Sequence, residues 1–179
     1  KGAGFLHVRP DWQDRVRPLV TSHGANSPRT DLSSFQLEFS WTGTHDPTPY
    51  LCIPESLRFL GALFPDGWPG LMRRNHDLAV EARRVLCSAL EVPEPCPEAM
   101  LGSMAAVPLP DGKEAALEPP LFMDPLQDQL YHRYHIEVPV IPWPAWPERL
   151  VRISAQAYNT LGQYEDLADA LSGLLKRGR

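Results

Sequence analysis

Twenty prolines divide this 179-residue chain into short pieces, and they constrain its fold more than any other feature. Proline has a fixed φ and no N–H, so it suits helix starts, sheet edges and turns and disrupts whatever runs through it. Here the prolines fall at element ends and form no low-complexity tract. The longest pattern they leave intact runs from 69 to about 91. In it Leu71, Met72, Leu78, Ala79, Ala82, Val85, Leu86 and Leu90 recur at threes and fours. Arg73, Arg74, Glu81, Arg83 and Arg84 fall mostly between them. That spacing predicts an amphipathic helix with one buried stripe.

A second such pattern closes the chain. Leu161, Tyr164, Leu167, Ala168, Leu171, Leu174 and Leu175 share a helical face, with Thr160 and Gln163 as a capping box. The other elements are shorter. "GFLHVRP", 4–10, reads as a strand stopped by Pro10, and "DWQDRVRPLV" as a short helix with Asp11 as N-cap. Residues 21–34 are loop by composition. "PESLRFLGAL" reads as a helix with Pro54 near its first turn, and "PDGWPG", 65–70, as a break.

In the second half, 101–110 reads as a strand and 111–120 as turn and loop. "DPLQDQLYHRYH" reads as a helix opened by an Asp N-cap and Pro at its first position. "IEVPVIPW" is a strand that Pro139 pushes toward an edge or bulge, and "ERLVRISA" is another. From about 67 onward the order is therefore α, β, α, β, β, α. This predicts a small α+β layer of helices on a mostly antiparallel sheet. Residues 1–66 read as the tail of a different domain, and 67–179 as the small domain that follows it.

Composition narrows the function classes. Hydrophobic residues make up 43% of the chain, enough for a core. The net charge of −5 argues against a nucleic-acid partner, which needs a basic face. The apolar runs are far short of a membrane span. Cys52, Cys87 and Cys96 lie far apart with no CxxC pattern, which suggests reduced, buried thiols in an intracellular, cytoplasmic protein. "KGAGFLHV" lacks an initiator Met and reads as the middle of a protein, so any targeting signal is expected to lie outside this sequence.

No familiar catalytic pattern stands out. His132 and His135, three apart, could share a helix face, but they are two ligands where a zinc site needs three or four that converge. There is no GxSxG elbow, no reactive local pattern around a cysteine and no Walker or Rossmann glycine motif. Two features remain. In "RLVRISAQAYN", strand alternation puts Arg152 and Ser154 on one face and Val151, Ile153 and Ala155 on the other. A guanidinium there has two readings: a salt bridge to a local Asp or Glu, or a fork that clamps a ligand carboxylate. In "FSWTGTHDPTPYL", Gly43 lies between the hydroxyls of Thr42 and Thr44. That corner is either a simple turn with hydroxyls on the backbone, or a cradle for a phosphate.

Five segments carry a resemblance: "KGAGFLHVRP", "FSWTGTHDPTPYL", "MLGSMAAVPLP", "YHIEVPV" and "VRISAQAYNTLGQYEDLADAL". In order and spacing the chain resembles the fold-type I, pyridoxal-phosphate-dependent class V aminotransferase family. The similarity is greatest to its isopenicillin N epimerase-like members, and it covers nearly the whole chain. It implies a fold of mixed class, α/β and α+β: the end of a fold-type I large domain followed by a small C-terminal α+β domain. It implies pyridoxal 5'-phosphate as cofactor, an amino-acid-like substrate and a homodimer.

Carried over residue by residue, the resemblance makes Thr44 a contact to the cofactor phosphate, with Gly43 allowing the approach. Asp46 and Pro47 fix the corner, and His45 is not catalytic. Arg152 binds the substrate carboxylate, and Tyr158 and Asn159 are structural. The family's Schiff-base lysine precedes the glycine-rich turn at the start of this sequence, and Lys1 matches the lysine after it. No catalytic residue is therefore expected among these 179, and the chain alone is expected to be inactive. The reaction would be of epimerase, aminotransferase or C–S lyase type. The alternative is a truncated, non-catalytic paralogue that serves as a binding or dimerisation module. A large-domain remnant is also expected to expose apolar surface and to self-associate.

Overall fold

A computed structural model describes residues 2–113 and 124–177; most of the 111–120 loop reading lies outside the described residues. The chain divides into two compact units, Lys1–Phe59 and Leu60–Arg179. No described helix is long and apolar enough to cross a membrane.

The first unit contains two 3₁₀ turns, Pro10–Arg15 and His23–Asn26, then helices α1 (Ser34–Ser40), α2 (Thr48–Leu51) and the start of α3 (Ile53–Gly61). The segment 4–10 is not a strand. A strand needs a neighbour to take its N–H and C=O groups, and none is present among the described residues; Phe5 and Leu6 lie exposed. Pro10 opens the first turn with Arg9 as N-cap, two residues before the Asp11 expected.

α1 starts at a full capping box. The Gln36 N–H donates to Ser33 Oγ, and the Ser33 N–H donates to Gln36 Oε1. The His23–Asn26 turn presses against α1 so closely that a Cβ on Gly24 would lie 2.1 Å from the Leu37 carbonyl oxygen. Ser22 ties the two together by donating its hydroxyl to the Glu38 carbonyl at 2.8 Å, and Arg17 pairs with the buried Glu38 carboxylate at 2.6 Å. Leu37 is the one hydrophobic residue of this unit that is fully buried among the described residues, while Phe5, Trp12, Leu19 and Val20 are exposed.

The second unit follows the predicted order. It has α4 (Gly67–Leu90), β1 (Met104–Leu109), α5 (Pro125–Tyr134), β2 (Val140–Pro142), β3 (Arg149–Ser154) and α6 (Leu161–Arg177). The three strands form an antiparallel sheet in the order β1-β3-β2. β3 is central, with Met104 opposite Ser154 and Val140 opposite Val151. β2 is a short edge strand, as the proline at 139 foretold. The core is apolar and continuous: Leu86 of α4, Val107 of β1, Leu130 of α5, Val151 of β3 and Leu171 of α6 are all fully buried. Helix, strand and helix periodicities thus converge on one layer, which is an α+β arrangement.

Two residues of the α4 pattern are not where the spacing put them. Met72, read as part of the buried stripe, is exposed, and Arg83, read as part of the polar face, is fully buried. The proline-rich return of the chain covers it: its guanidinium donates to the Cys96 carbonyl at 2.8 Å and pairs with Glu94. Its Nε has no hydrogen-bond partner among the described residues. The cysteines also differ from expectation, because Cys52 is exposed and only Cys87 is fully buried. Burial pushes the Cys87 thiol above its ordinary pKa, and the Glu94 carboxylate adds to this.

Candidate functional site

In the second unit, alternation along β3 sends Val151 and Ile153 into the core and leaves Arg152 and Ser154 on the open face. The Arg152 N–H donates to the Pro139 carbonyl at 3.1 Å, which fixes the start of β2 beside it. Its side chain is exposed and makes no hydrogen bond or ion pair among the described residues. Among the described residues Arg152 is therefore not half of a local salt bridge. The sheet face it occupies is open, so the guanidinium needs no buried counter-ion.

Arg149, three residues earlier on β3, supplies the contrast. It donates through Nη1 to both carboxylate oxygens of Asp124 at 2.6 and 2.8 Å, and the Asp124 side chain is 1% exposed. The same carboxylate caps α5 by accepting from the Leu126 N–H at 2.8 Å. The N-cap was legible in the sequence; its guanidinium partner, 25 residues away, carried no local signal.

Arg152 lines a hollow of about 740 Å³ together with Tyr134, His135, Glu137, Ser154 and Asp166. The turn beyond β3 that borders the hollow is cross-braced. Arg74 of α4 donates to the carbonyls of Gln156 at 3.1 Å and Asn159 at 2.8 Å. The Asn159 side chain accepts from the Gln156 N–H and donates to Gln163 at the head of α6, both at 3.0 Å. Gln163 also accepts from the Thr160 N–H, which is half of the predicted capping box. The Tyr164 hydroxyl donates to the Ser154 carbonyl at 2.7 Å. Burial holds the Tyr164 phenol above its ordinary pKa, helped by the nearby Tyr158. Tyr158 itself is 80% exposed. Neither the bracing role of Arg74 nor the burial of Asn75 beside it was visible in sequence.

The Gly-Thr corner lies in the first unit, between the end of α1 at Trp41 and the start of α2 at Thr48. Thr42, Gly43 and Thr44 are all exposed. Gly43 has φ +145°, a region that side chains avoid, and a Cβ there would meet nothing within 4 Å. The N–H groups and hydroxyls of Thr42 and Thr44 make no hydrogen bond among the described residues. A simple turn with its hydroxyls on its own backbone is thus not what the corner shows. It presents free donors at an open glycine, which is the donor set a phosphate group requires.

Asp46 shapes the corner on its other side, accepting from the Thr48 N–H at 2.9 Å and hydroxyl at 2.6 Å. The Thr48 hydroxyl, with that amide, holds the Asp46 carboxyl below the usual carboxylate range. A hollow of about 440 Å³ adjoins, lined by Ser22, His23, Asn26, Trp41, Thr42 and Gly43. His132 and His135 do not share a helix face, because His135 has left α5 in a left-handed conformation. Among the described residues no group of three or more His, Cys, Asp or Glu is placed to hold a metal ion.

Sequence comparison gives consistent relatives. The chain is 32% identical over 180 residues to a probable chloroplastic L-cysteine desulfhydrase of Arabidopsis thaliana, a match that takes in 97% of this chain. It is 32% identical to the isopenicillin N epimerase of Amycolatopsis lactamdurans and 33% identical to that of Streptomyces clavuligerus, over 98% and 97% of its length. Two differently named groups of enzymes thus align along essentially all of it. These relatives are of the pyridoxal-phosphate-dependent class V aminotransferase type, and this chain is similar to them along nearly all of its own length. It spans about two fifths of the length of these relatives, between 37% and 44%. No family model matches the chain.

Proposed function

We propose that this chain is the C-terminal portion of a pyridoxal-phosphate-dependent enzyme acting on an amino acid or amino-acid-like substrate, by epimerisation, transamination or C–S bond lysis. Residues 1–66 are the end of its large cofactor-binding domain and 67–179 its small domain. The scarcity of buried apolar residues in the first unit supports this, since a compact unit standing alone would bury more. In this reading the enzyme is a cytoplasmic homodimer, and the catalytic lysine is contributed from outside these 179 residues.

The observation that carries the proposal is the pair of arginines on β3. Arg149 is spent on a buried carboxylate, whereas Arg152 has no ion-pair partner among the described residues and lines a hollow large enough for a small molecule. A planar guanidinium in that state binds a substrate carboxylate through two parallel charge-assisted bonds and so fixes the orientation of the α-carbon. Gly43 and Thr44 hold the cofactor phosphate with backbone N–H groups and a hydroxyl, which anchors the cofactor without altering its electronics. The bound cofactor supplies the electron sink that stabilises a carbanion at the α-carbon.

A non-catalytic binding or dimerisation module is the second reading. The two readings separate on the gene product isolated from its native source. An enzyme of this family copurifies with pyridoxal phosphate and loses substrate binding, but not its fold, on Arg152→Ala. A product of this length that takes up no pyridoxal phosphate supports the module.

A further inference from the structure

His45 interrupts the Gly-Thr corner, and neither its place nor its chemistry is absorbed by the reading above. We propose that His45 is a positioning residue that aims the Thr44 amide at the phosphate; this rests on the proposed role of the corner. The His45 Nδ1 lies 2.7 Å from the Gly43 carbonyl oxygen. A carbonyl only accepts, so Nδ1 must carry the proton and donate, leaving Nε2 as the unprotonated nitrogen of the neutral ring.

The ring is held from two further sides. Trp41 lies against it at a centroid distance of 5.4 Å and Tyr50 at 5.7 Å. The imidazole is thus fixed in place, and through it the Gly43 carbonyl. The peptide bond is planar and trans, so its C=O and the following N–H point in opposite directions. Drawing the Gly43 carbonyl onto His45 therefore turns the Thr44 N–H away from the ring and leaves it outward and unpartnered. Gly43 at φ +145° can be reoriented freely without such a tether, because glycine alone tolerates wide backbone rotation.

The test uses the full 179-residue chain and two spectra. Imidazole ¹⁵N resonances, recorded at about pH 9 where a histidine is neutral, should report the Nδ1–H tautomer for His45. The Nε2–H tautomer would overturn the proposal. Titration with inorganic phosphate should shift the Thr44 amide in the native chain. H45A should weaken that response about tenfold, the scale of one hydrogen bond to a charged group.

H45N places an amide nitrogen where Nδ1 stood and should restore the response, whereas H45Q, with its amide one bond further out, should not. Equal phosphate response in H45A and the native chain overturns the positioning role. If the native chain itself gives no shift at Thr44, the phosphate role of the corner fails instead, while the ring spectrum still decides whether His45 holds the Gly43 carbonyl.

Discussion

Removing the Asp124 carboxylate is the sharpest perturbation of the second unit. Asp124 is 1% exposed, and it takes two bonds from Arg149 Nη1 and one from the Leu126 N–H. Breaking a buried ion pair by deleting one partner costs about 3–5 kcal/mol, because the other charge is left without compensation. Losing an N-cap costs about 1 kcal/mol. The two losses share one carboxylate, and Arg149 keeps its 2.8 Å bond to the Pro110 carbonyl. The expected cost of Asp124→Ala is therefore about 4 kcal/mol, at the lower end of the combined range.

Urea unfolding followed by far-ultraviolet circular dichroism would read this as a fall in midpoint of about 2 M, for a slope near 2 kcal/mol per M. D124N keeps a cap acceptor and should recover about 1 kcal/mol of the loss. The double replacement D124L with R149M removes both charges and should be milder than either single change. A D124A loss below about 1 kcal/mol would refute the claim that this pair is a buried, mutually dependent one.

Three further outcomes are expected. Gly24→Ala places a methyl group against the Leu37 carbonyl, a backbone group that cannot swing aside, and should make the first unit susceptible to limited proteolysis while leaving the second intact. Thiol titration should label the exposed Cys52 first and Cys87 last, because Cys87 is buried and its thiolate disfavoured; fast labelling of Cys87 in the folded chain would contradict its placement. The folded pKa of Asp46 lies below its unfolded value, so its contribution is present above the unfolded carboxylate pKa and is lost as pH falls through the folded one. The Thr48 amide resonance should titrate with a midpoint below the ordinary carboxylate value, and a midpoint at that value would show that the Asp46–Thr48 contacts do not form.

The parts of this fold that rest on local periodicity were readable from sequence. α4, α6 and the inside-outside alternation of β3 turn most of the residues their spacing selects toward the core, Met72 of α4 being the exception at 65% exposed. So was the Asp124 cap, because an N-cap is a contact within one turn. What escaped depends on distant residues. Segment 4–10 has strand composition, but a strand exists only beside another. Arg83 sits on the border of an apolar stripe, and its burial is decided by where Glu94 and Cys96 return.

The two candidate sites show the same division. The alternation that exposes Arg152 was legible, but that Arg149 and not Arg152 finds a carboxylate among the described residues depends on the location of Asp124. The corner was legible as a glycine between hydroxyls; the turn of the His45 ring back onto the Gly43 carbonyl was not.

The clamp reading of Arg152 is tested most directly by the ¹⁵N spectrum of its guanidinium during titration with L-cysteine and, separately, with cysteamine. The two ligands share a thiol and an amine, and only the first has a carboxylate. If Arg152 is a carboxylate clamp, L-cysteine shifts and sharpens its Nε–H resonance and cysteamine leaves it unmoved. Equal responses to both ligands, or none to either, would contradict that role.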